Sequence, residues 1–117
     1  IINVSSWSGN HVSLLSGVSY TSSKHALNAM TETINMKYCN LGIRATALCP
    51  GEVATAILDK RPKKLSIEQK NKMLQPDDLG QTIVFLCQMP KHVCINELTI
   101  SPTWHRRYIA DLGIEEL

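Results

Sequence analysis

The sequence has 117 residues, a length that holds one domain or a piece of one. With 44% hydrophobic and 19% charged residues it has the make-up of a packed globular chain rather than a disordered or fibrous one. A formal net charge of +2 argues against nucleic acid or an anionic membrane surface as partner, and 5% aromatic residues leave no stacking platform for bases. No apolar run approaches the ~20 residues of a membrane-spanning helix. No secretory leader is visible, so a cytoplasmic setting is expected. Cys39, Cys49, Cys87 and Cys94 form no C-x-x-C pair and match no zinc pattern, so buried, reduced thiols and no metal are expected.

The chain opens on Ile1-Ile2-Asn3-Val4-Ser5, β-branched and ending in small polar residues, which predicts a buried strand running into a loop. There is no initiator methionine, and a domain seldom opens on a core strand, so the sequence is expected to begin partway through a larger fold. Residues 6–19 are rich in serine and read as a loop. A long helix is predicted over Tyr20 to Leu41, where Ala26, Leu27, Met30, Ile34, Tyr38 and Leu41 recur at steps of three and four, and Gly42 follows as a terminator. Ile43 to Cys49 predicts a second strand, stopped by Pro50-Gly51.

Residues 52–72 are mixed, with short helices, and include the basic cluster Arg61-Pro62-Lys63-Lys64, read as a solvated loop. Pro76-Asp77-Asp78 opens a helix with acids in its first turn, and Leu79, Ile83, Val84, Leu86 and Cys87 supply its apolar side. Cys94 to Ile100 predicts a third strand, followed by Pro102 and a charged tail. Strand, helix, strand, helix, strand is the pattern of an α/β parallel sheet with crossover helices. Three such strands leave the first with an open edge and apolar surface beside it.

One group of residues carries chemistry. Tyr20 and Lys24 lie four apart, so on a helix they share a face with Cβ atoms ~6 Å apart. A free phenol titrates near ~10, too high for proton transfer at neutral pH, and an adjacent ammonium favours its ionised form. Such a tyrosine exchanges a proton with a carbonyl or alcohol oxygen, and a serine hydroxyl at the strand end holds that oxygen. Taken alone, Y-x-x-x-K more often describes an interfacial tyrosine and a snorkelling lysine on an amphipathic helix.

The surrounding residues narrow the choice. Asn3-Val4-Ser5-Ser6, Tyr20 to Lys24, and Pro50-Gly51-Glu52-Val53-Ala54-Thr55 resemble, in order, the three linked motifs of the short-chain dehydrogenase/reductase family. Gln75-Pro76-Asp77-Asp78 is similar to the opening of that family's next helix, and Ile95 to Ile100 to its last core strand. The resemblance spans about 1–104 and implies the C-terminal part of a doubly wound, Rossmann-type parallel sheet, the whole of 1–117 being a portion of one such domain.

The family's roles, carried over by position, make Tyr20 the general acid/base. Lys24 assists it and binds the nicotinamide ribose, and Ser6 hydrogen-bonds the substrate oxygen. The Ser6-to-Tyr20 gap is one residue wider than the family's commonest spacing, which leaves Ser5 and Ser8 as alternatives. Pro50, Gly51, Val53 and Thr55 would line the nicotinamide pocket, with NAD or NADP as cofactor and a small carbonyl or secondary alcohol as substrate. The resemblance further implies a homodimer or homotetramer.

The family's glycine-rich pyrophosphate turn has no counterpart among the six glycines, and the asparagine that completes its catalytic tetrad would lie upstream of Ile1. A non-catalytic fragment or interaction module that keeps the motif is therefore the alternative. His11, His25, His92 and His105 sit on unrelated segments and read as surface or loop residues. Trp7 is expected to shape the substrate pocket or to pack the loop. Ile57, Leu58, Met73 and Leu74 fall where the family covers its substrate and read at least as well as core or loop packing, and Trp104 to Tyr108 read as a subunit contact or a frayed end.

Overall fold

The computed structural model describes residues 1–60 and 63–114. Its sheet has three parallel strands in the order β1 (Ile2–Val4), β2 (Thr46–Pro50), β3 (Glu97–Ile100), with Ile2 opposite Thr46 and Ala47 opposite Glu97. The helices are α1 (Val18–Tyr38), α2 (Ile67–Asn71), α3 (Pro76–Gln88) and α4 (Arg106–Asp111). The strands are shorter than the sequence predicts, because only these residues find ladder partners. The parallel α/β order is as expected.

All five residues of β2 are buried, and Ala45 to Cys49 form the centre of the core. The two outer strands differ from the expectation of buried strands. β1 is only half-buried, with Val4 exposed, and β3 alternates exposed and half-buried residues. Among the described residues each has one neighbour, so each presents an edge.

Helix α1 starts two residues before Tyr20 and continues past Tyr38 as a 3-10 turn at Cys39–Leu41. Gly42 then adopts a left-handed conformation (φ 71°), as a helix terminator requires. The face of α1 turned inward is only part of the predicted apolar stripe, of which Leu27, Ile34 and Tyr38 are half-buried. Ala26, Met30 and Leu41 are exposed, and the buried residues are Thr21 and Thr31. Polar side chains fasten the helix instead. Asn3 Nδ2 donates to Thr31 Oγ1 at 2.9 Å. Asn35 donates to Ala45 O at 2.7 Å and accepts from Ala45 N–H at 2.6 Å. The reason at Asn35 is local: Ala45 stands just before β2, where its backbone groups need partners, and the Asn35 amide supplies both.

Pro76 occupies the first turn of α3, and Gln75 and Asp78 close a reciprocal capping box, as the acids after the proline suggest. Leu86 is the buried residue of its apolar side, while Val84 and Cys87 are exposed. The Arg44 guanidinium then pins the exit of α3 by donating to the carbonyls of Met89, Pro90 and Val93 at 2.5–2.8 Å. Of the basic cluster, Arg61 and Pro62 lie outside the described residues, and Lys63 and Lys64 are exposed. Of the thiols expected to be buried, only Cys49 is; Cys39, Cys87 and Cys94 are exposed.

Replacing Asn35 with Ala leaves the Ala45 N–H and C=O without these partners in the core. The variant should lose about 1–3 kcal/mol of stability, read as a lower urea midpoint at unchanged slope. An unchanged midpoint would show that the helix is held by other contacts.

Candidate active site

Parallel strands place their carboxyl ends together, and ligands of open α/β sheets bind beyond those ends. Here that edge carries Ser5-Ser6 after β1, Gly51 after β2 and Ser101 after β3, with Gly51 N–H donating to Ile100 O at 2.7 Å. Helix α1 runs back from the same edge, so Tyr20 and Lys24 stand in its first two turns.

Tyr20 and Lys24 share a face. The Lys24 ammonium is 5.7 Å from the centre of the Tyr20 ring and donates to Val4 O at 3.2 Å. Tyr20 is about half exposed, at 47%. The three serines divide by environment. Ser5 is buried, its hydroxyl donating to Lys24 O at 3.3 Å, and Ser8 is buried with its hydroxyl on Ser16 Oγ at 2.8 Å. Ser6 is half-buried and caps the 3-10 turn at Trp7–Gly9, its Oγ accepting from Ser8 N–H at 3.1 Å. That contact uses a lone pair and leaves the hydroxyl proton for another acceptor.

Gly9 lets this turn lie against α1, since a Cβ there would stand 2.6 Å from both Asn28 Nδ2 and Ser5 Oγ. Asn28 in turn donates to Asn10 Oδ1 at 3.0 Å, and Asn10 to Glu97 at 2.5 Å, which joins the loop, α1 and β3. The Cys49 thiol sits beside these amides, and burial, then the Glu97 charge, pushes its pKa up.

Pro50 ends β2, and Glu52 to Ala54 run beside Leu74, with Ala54 N–H donating to Leu74 O at 2.8 Å and Val53 bridging Leu74. Thr55 is exposed where a 3-10 turn, Ala56–Lys60, begins. Leu58, Met73 and Leu74 are buried, whereas Ile57 is exposed. A groove of about 980 Å³ between α3 and β3 is lined in part by Met73, Leu74, Phe85, Leu98 and Trp104, and none of Ser6, Tyr20, Lys24, Pro50, Gly51, Val53 or Thr55 lines it.

The tail is an ordered helix that sequence reasoning left open. Trp7 stacks on His11 (centroids 4.2 Å apart), and His105 lies against both Trp7 (4.6 Å) and Tyr108 (4.3 Å). Two of the four histidines thus pack on the same indole, although they are 94 positions apart in the chain (105 − 11). Arg106 pairs with Glu52 through two hydrogen bonds, one at 2.7 Å, and Lys72 lies 4.6 Å from the centre of the Trp104 ring. Among the described residues no cluster of three or more His, Cys, Asp or Glu could hold a metal ion. Among them, too, no helix is long and apolar enough to cross a membrane.

The family model for short chain dehydrogenases matches residues 1–66, more than half of the chain and a stretch that holds all three motif segments. The chain belongs to the short-chain dehydrogenase family. A human relative, dehydrogenase/reductase SDR family member 11, is 32% identical over 111 residues, covering 88% of this chain and 43% of the relative. An uncharacterized oxidoreductase of Staphylococcus aureus is 30% identical, covering 87% and 42%. Among solved structures, a betaketoacyl-[ACP] reductase from Bacteroides thetaiotaomicron superposes with a TM-score of 0.70 at 32% identity, covering 93% of this chain and 42% of that one. An alcohol dehydrogenase from the archaeon Thermococcus sibiricus, complexed with 5-hydroxy-NADP, gives 0.72 at 25%, covering 90% and 42%. The family member thus spans less than half the length of these relatives, and its parallel sheet with flanking helices is part of their Rossmann-type fold.

The docked tail generates a pH dependence. Burial, above all, holds His105 below its usual 6.5; Glu52 opposes this, while Arg107 and His11 add to it. A base with a depressed folded pKa binds fewer protons folded than unfolded, so its contribution is complete above about 6.5 and is lost as pH falls from there. The urea midpoint should therefore drop between about pH 7 and about pH 5.5, and His105→Gln should shrink that drop. Identical profiles for the two proteins would contradict it.

Proposed function

We propose that this chain carries the catalytic side of an NAD(P)-dependent oxidoreductase acting on a carbonyl or secondary alcohol. The observation that supports this most is the ammonium of Lys24 beside the half-exposed phenol of Tyr20, at the strand end that holds Ser6. In the reduction direction Ser6 donates its hydroxyl proton in a hydrogen bond to the substrate oxygen and fixes its position. Tyr20 gives its proton to that oxygen as negative charge develops, and the Lys24 charge stabilises the phenolate that remains. When bound, a reduced nicotinamide supplies the hydride that adds to the carbonyl carbon. In the oxidation direction Tyr20 takes the proton back.

The residues suit such a cofactor. Lys24 has three N–H donors and uses one on Val4 O, which leaves donors for neighbouring ribose hydroxyls. Pro50, Gly51 and Val53 form the turn beyond β2, and the exposed Thr55 hydroxyl beside them suits a carboxamide. The Thermococcus sibiricus alcohol dehydrogenase, complexed with 5-hydroxy-NADP, supports the same class of cofactor. A homodimer or homotetramer in the cytoplasm is part of this reading: Met30 and Met36 on α1 and Val84 and Phe85 on α3 are exposed and suit a partner subunit.

The open edge of β1 favours one rival, a non-catalytic interaction module, which predicts neither cofactor binding nor turnover. In the protein at its full cellular length, Tyr20→Phe should lower kcat by about 10²- to 10⁴-fold while cofactor affinity and the thermal midpoint hold. Turnover equal to that of the unmodified protein would remove Tyr20 from the mechanism.

A further inference from the structure

Two neighbouring residues at the start of α4 reach two different loops. His105 lies on the Trp7 indole, with 4.6 Å between ring centroids, and Trp7 directly follows Ser6. Arg106 holds Glu52 through its Nε at 2.7 Å and through a second N–H, and Glu52 directly follows Gly51. The first loop carries the serine proposed for the substrate oxygen, and the second is the turn proposed for the nicotinamide. The pairing of β1 with β2 ends at Val4 opposite Leu48, with Ser5 N–H donating to Leu48 O at 2.7 Å. Past that point α4 supplies a tie between the two loops.

Both ends of the tie are stiff. At one end, Trp7 O accepts from the N–H groups of Asn10 and His11, each at 3.1 Å, and the His11 ring stacks on the indole at 4.2 Å. Tyr108 backs His105 at 4.3 Å from one turn further along α4. At the other end, Leu74 N–H donates to Glu52 O at 3.1 Å, so the carboxylate moves only with its turn. The Glu52 and Arg106 side chains are 27% and 26% exposed, and salt screens such a part-buried pair less than one in open solvent. The segment from β3 to α4 also passes close over Gly51, where a Cβ would stand 3.2 Å from Pro102 Cδ.

Hydride transfer is sensitive to the spacing that this tie controls. The carbonyl carbon receives the hydride while its oxygen receives the Tyr20 proton, so the rate depends on where the oxygen at Ser6 stands relative to a ring at the Gly51 turn. We infer that His105 and Arg106 are positioning residues for this reaction: through Trp7 and Glu52 they set the distance between the substrate-holding serine and the nicotinamide turn. The inference rests on the oxidoreductase reading and adds two residues that act on the reaction only through others.

The test uses the protein at its full cellular length, NADH and NADPH in turn, and cyclohexanone, acetophenone and 2,3-butanedione as probes. Each variant is assayed at a temperature where circular dichroism shows it folded. His105→Ala and Arg106→Met should each lower kcat by about 10- to 100-fold, the cost of a displacement on the order of 1 Å, while KM and the cofactor Kd hold. His105→Phe keeps a ring on Trp7 and should keep most of the native kcat. The double variant His105→Ala/Arg106→Met should lose no more than the slower single one, because a tie cut at one end is already cut.

Native kcat in the single variants, or a loss confined to KM or Kd, makes α4 a structural element only and overturns the inference, with the oxidoreductase reading left standing. Additive losses in the double variant, or a His105→Phe protein as slow as His105→Ala, also overturn it. If His105→Ala does not fold, Arg106→Met alone decides by the same split between kcat and KM. Absence of turnover by the unmodified protein for every ketone, and for the matching alcohols with oxidised cofactor, removes the oxidoreductase reading itself and this inference with it.

Discussion

Helix α1 is fastened to the buried strand β2 by amides and hydroxyls, and the rest of the site takes its position from that attachment. Asn35 bonds both backbone groups of Ala45 just before β2, Thr31 holds Asn3 of β1, and Asn28 meets Asn10 of the intervening loop. An apolar stripe would let the helix slide by a fraction of a turn at small cost. Directional bonds to fixed backbone atoms resist that, and each buried one is costly to leave unmade. The result is a defined register between α1 and the ends of the strands, and it sets where Tyr20 and Lys24 stand relative to Ser6.

The same logic explains the crowded turn after β1. Ser5, Ser6 and Ser8 are close in sequence and chemically alike, yet the fold gives them different work. Ser5 and Ser8 are drawn inward to Lys24 O and Ser16 Oγ, and Ser6 caps the turn with its proton still to offer. Gly9 makes this possible, since any side chain there would push Asn28 and Ser5 apart. On the far side, Trp7 is covered by His11 and by His105 of the C-terminal segment, so the indole next to Ser6 is held in place from a region 98 residues further along (105 − 7). The tail thus braces the loop that carries Ser6.

Much of this was legible from the letters. The order of strands and helices, the parallel sheet, the stop at Gly42 and the start of α3 at Pro76 all follow from local chemistry: a left-handed glycine, a proline in a first turn, acids that cap it. The motif residues were legible as a group because their spacing is fixed by one strand, one helix and one strand end. The buried face of α1 was not. Periodicity registers where apolar residues recur, and it pointed to Leu27, Ile34 and Tyr38, which are half-buried, but equally to Ala26, Met30 and Leu41, which are exposed, while the fully buried residues are Thr21 and Thr31. The tail was not legible either. Neither Trp7 nor His105 signals its partner, because stacking between distant rings leaves no local pattern, and the Glu52–Arg106 pair spans 54 residues.

The central claim is that Tyr20 and Ser6 converge on one oxygen with Lys24 behind them. A crystal structure of the protein at its full cellular length, with a nicotinamide cofactor and an unreactive ketone analogue, tests it directly. The account predicts Tyr20 Oη and Ser6 Oγ both about 2.6–3.2 Å from the analogue's oxygen, with the Lys24 amine on the ribose hydroxyls. An analogue whose oxygen is held by other groups, while the Tyr20 phenol faces solvent, would contradict it.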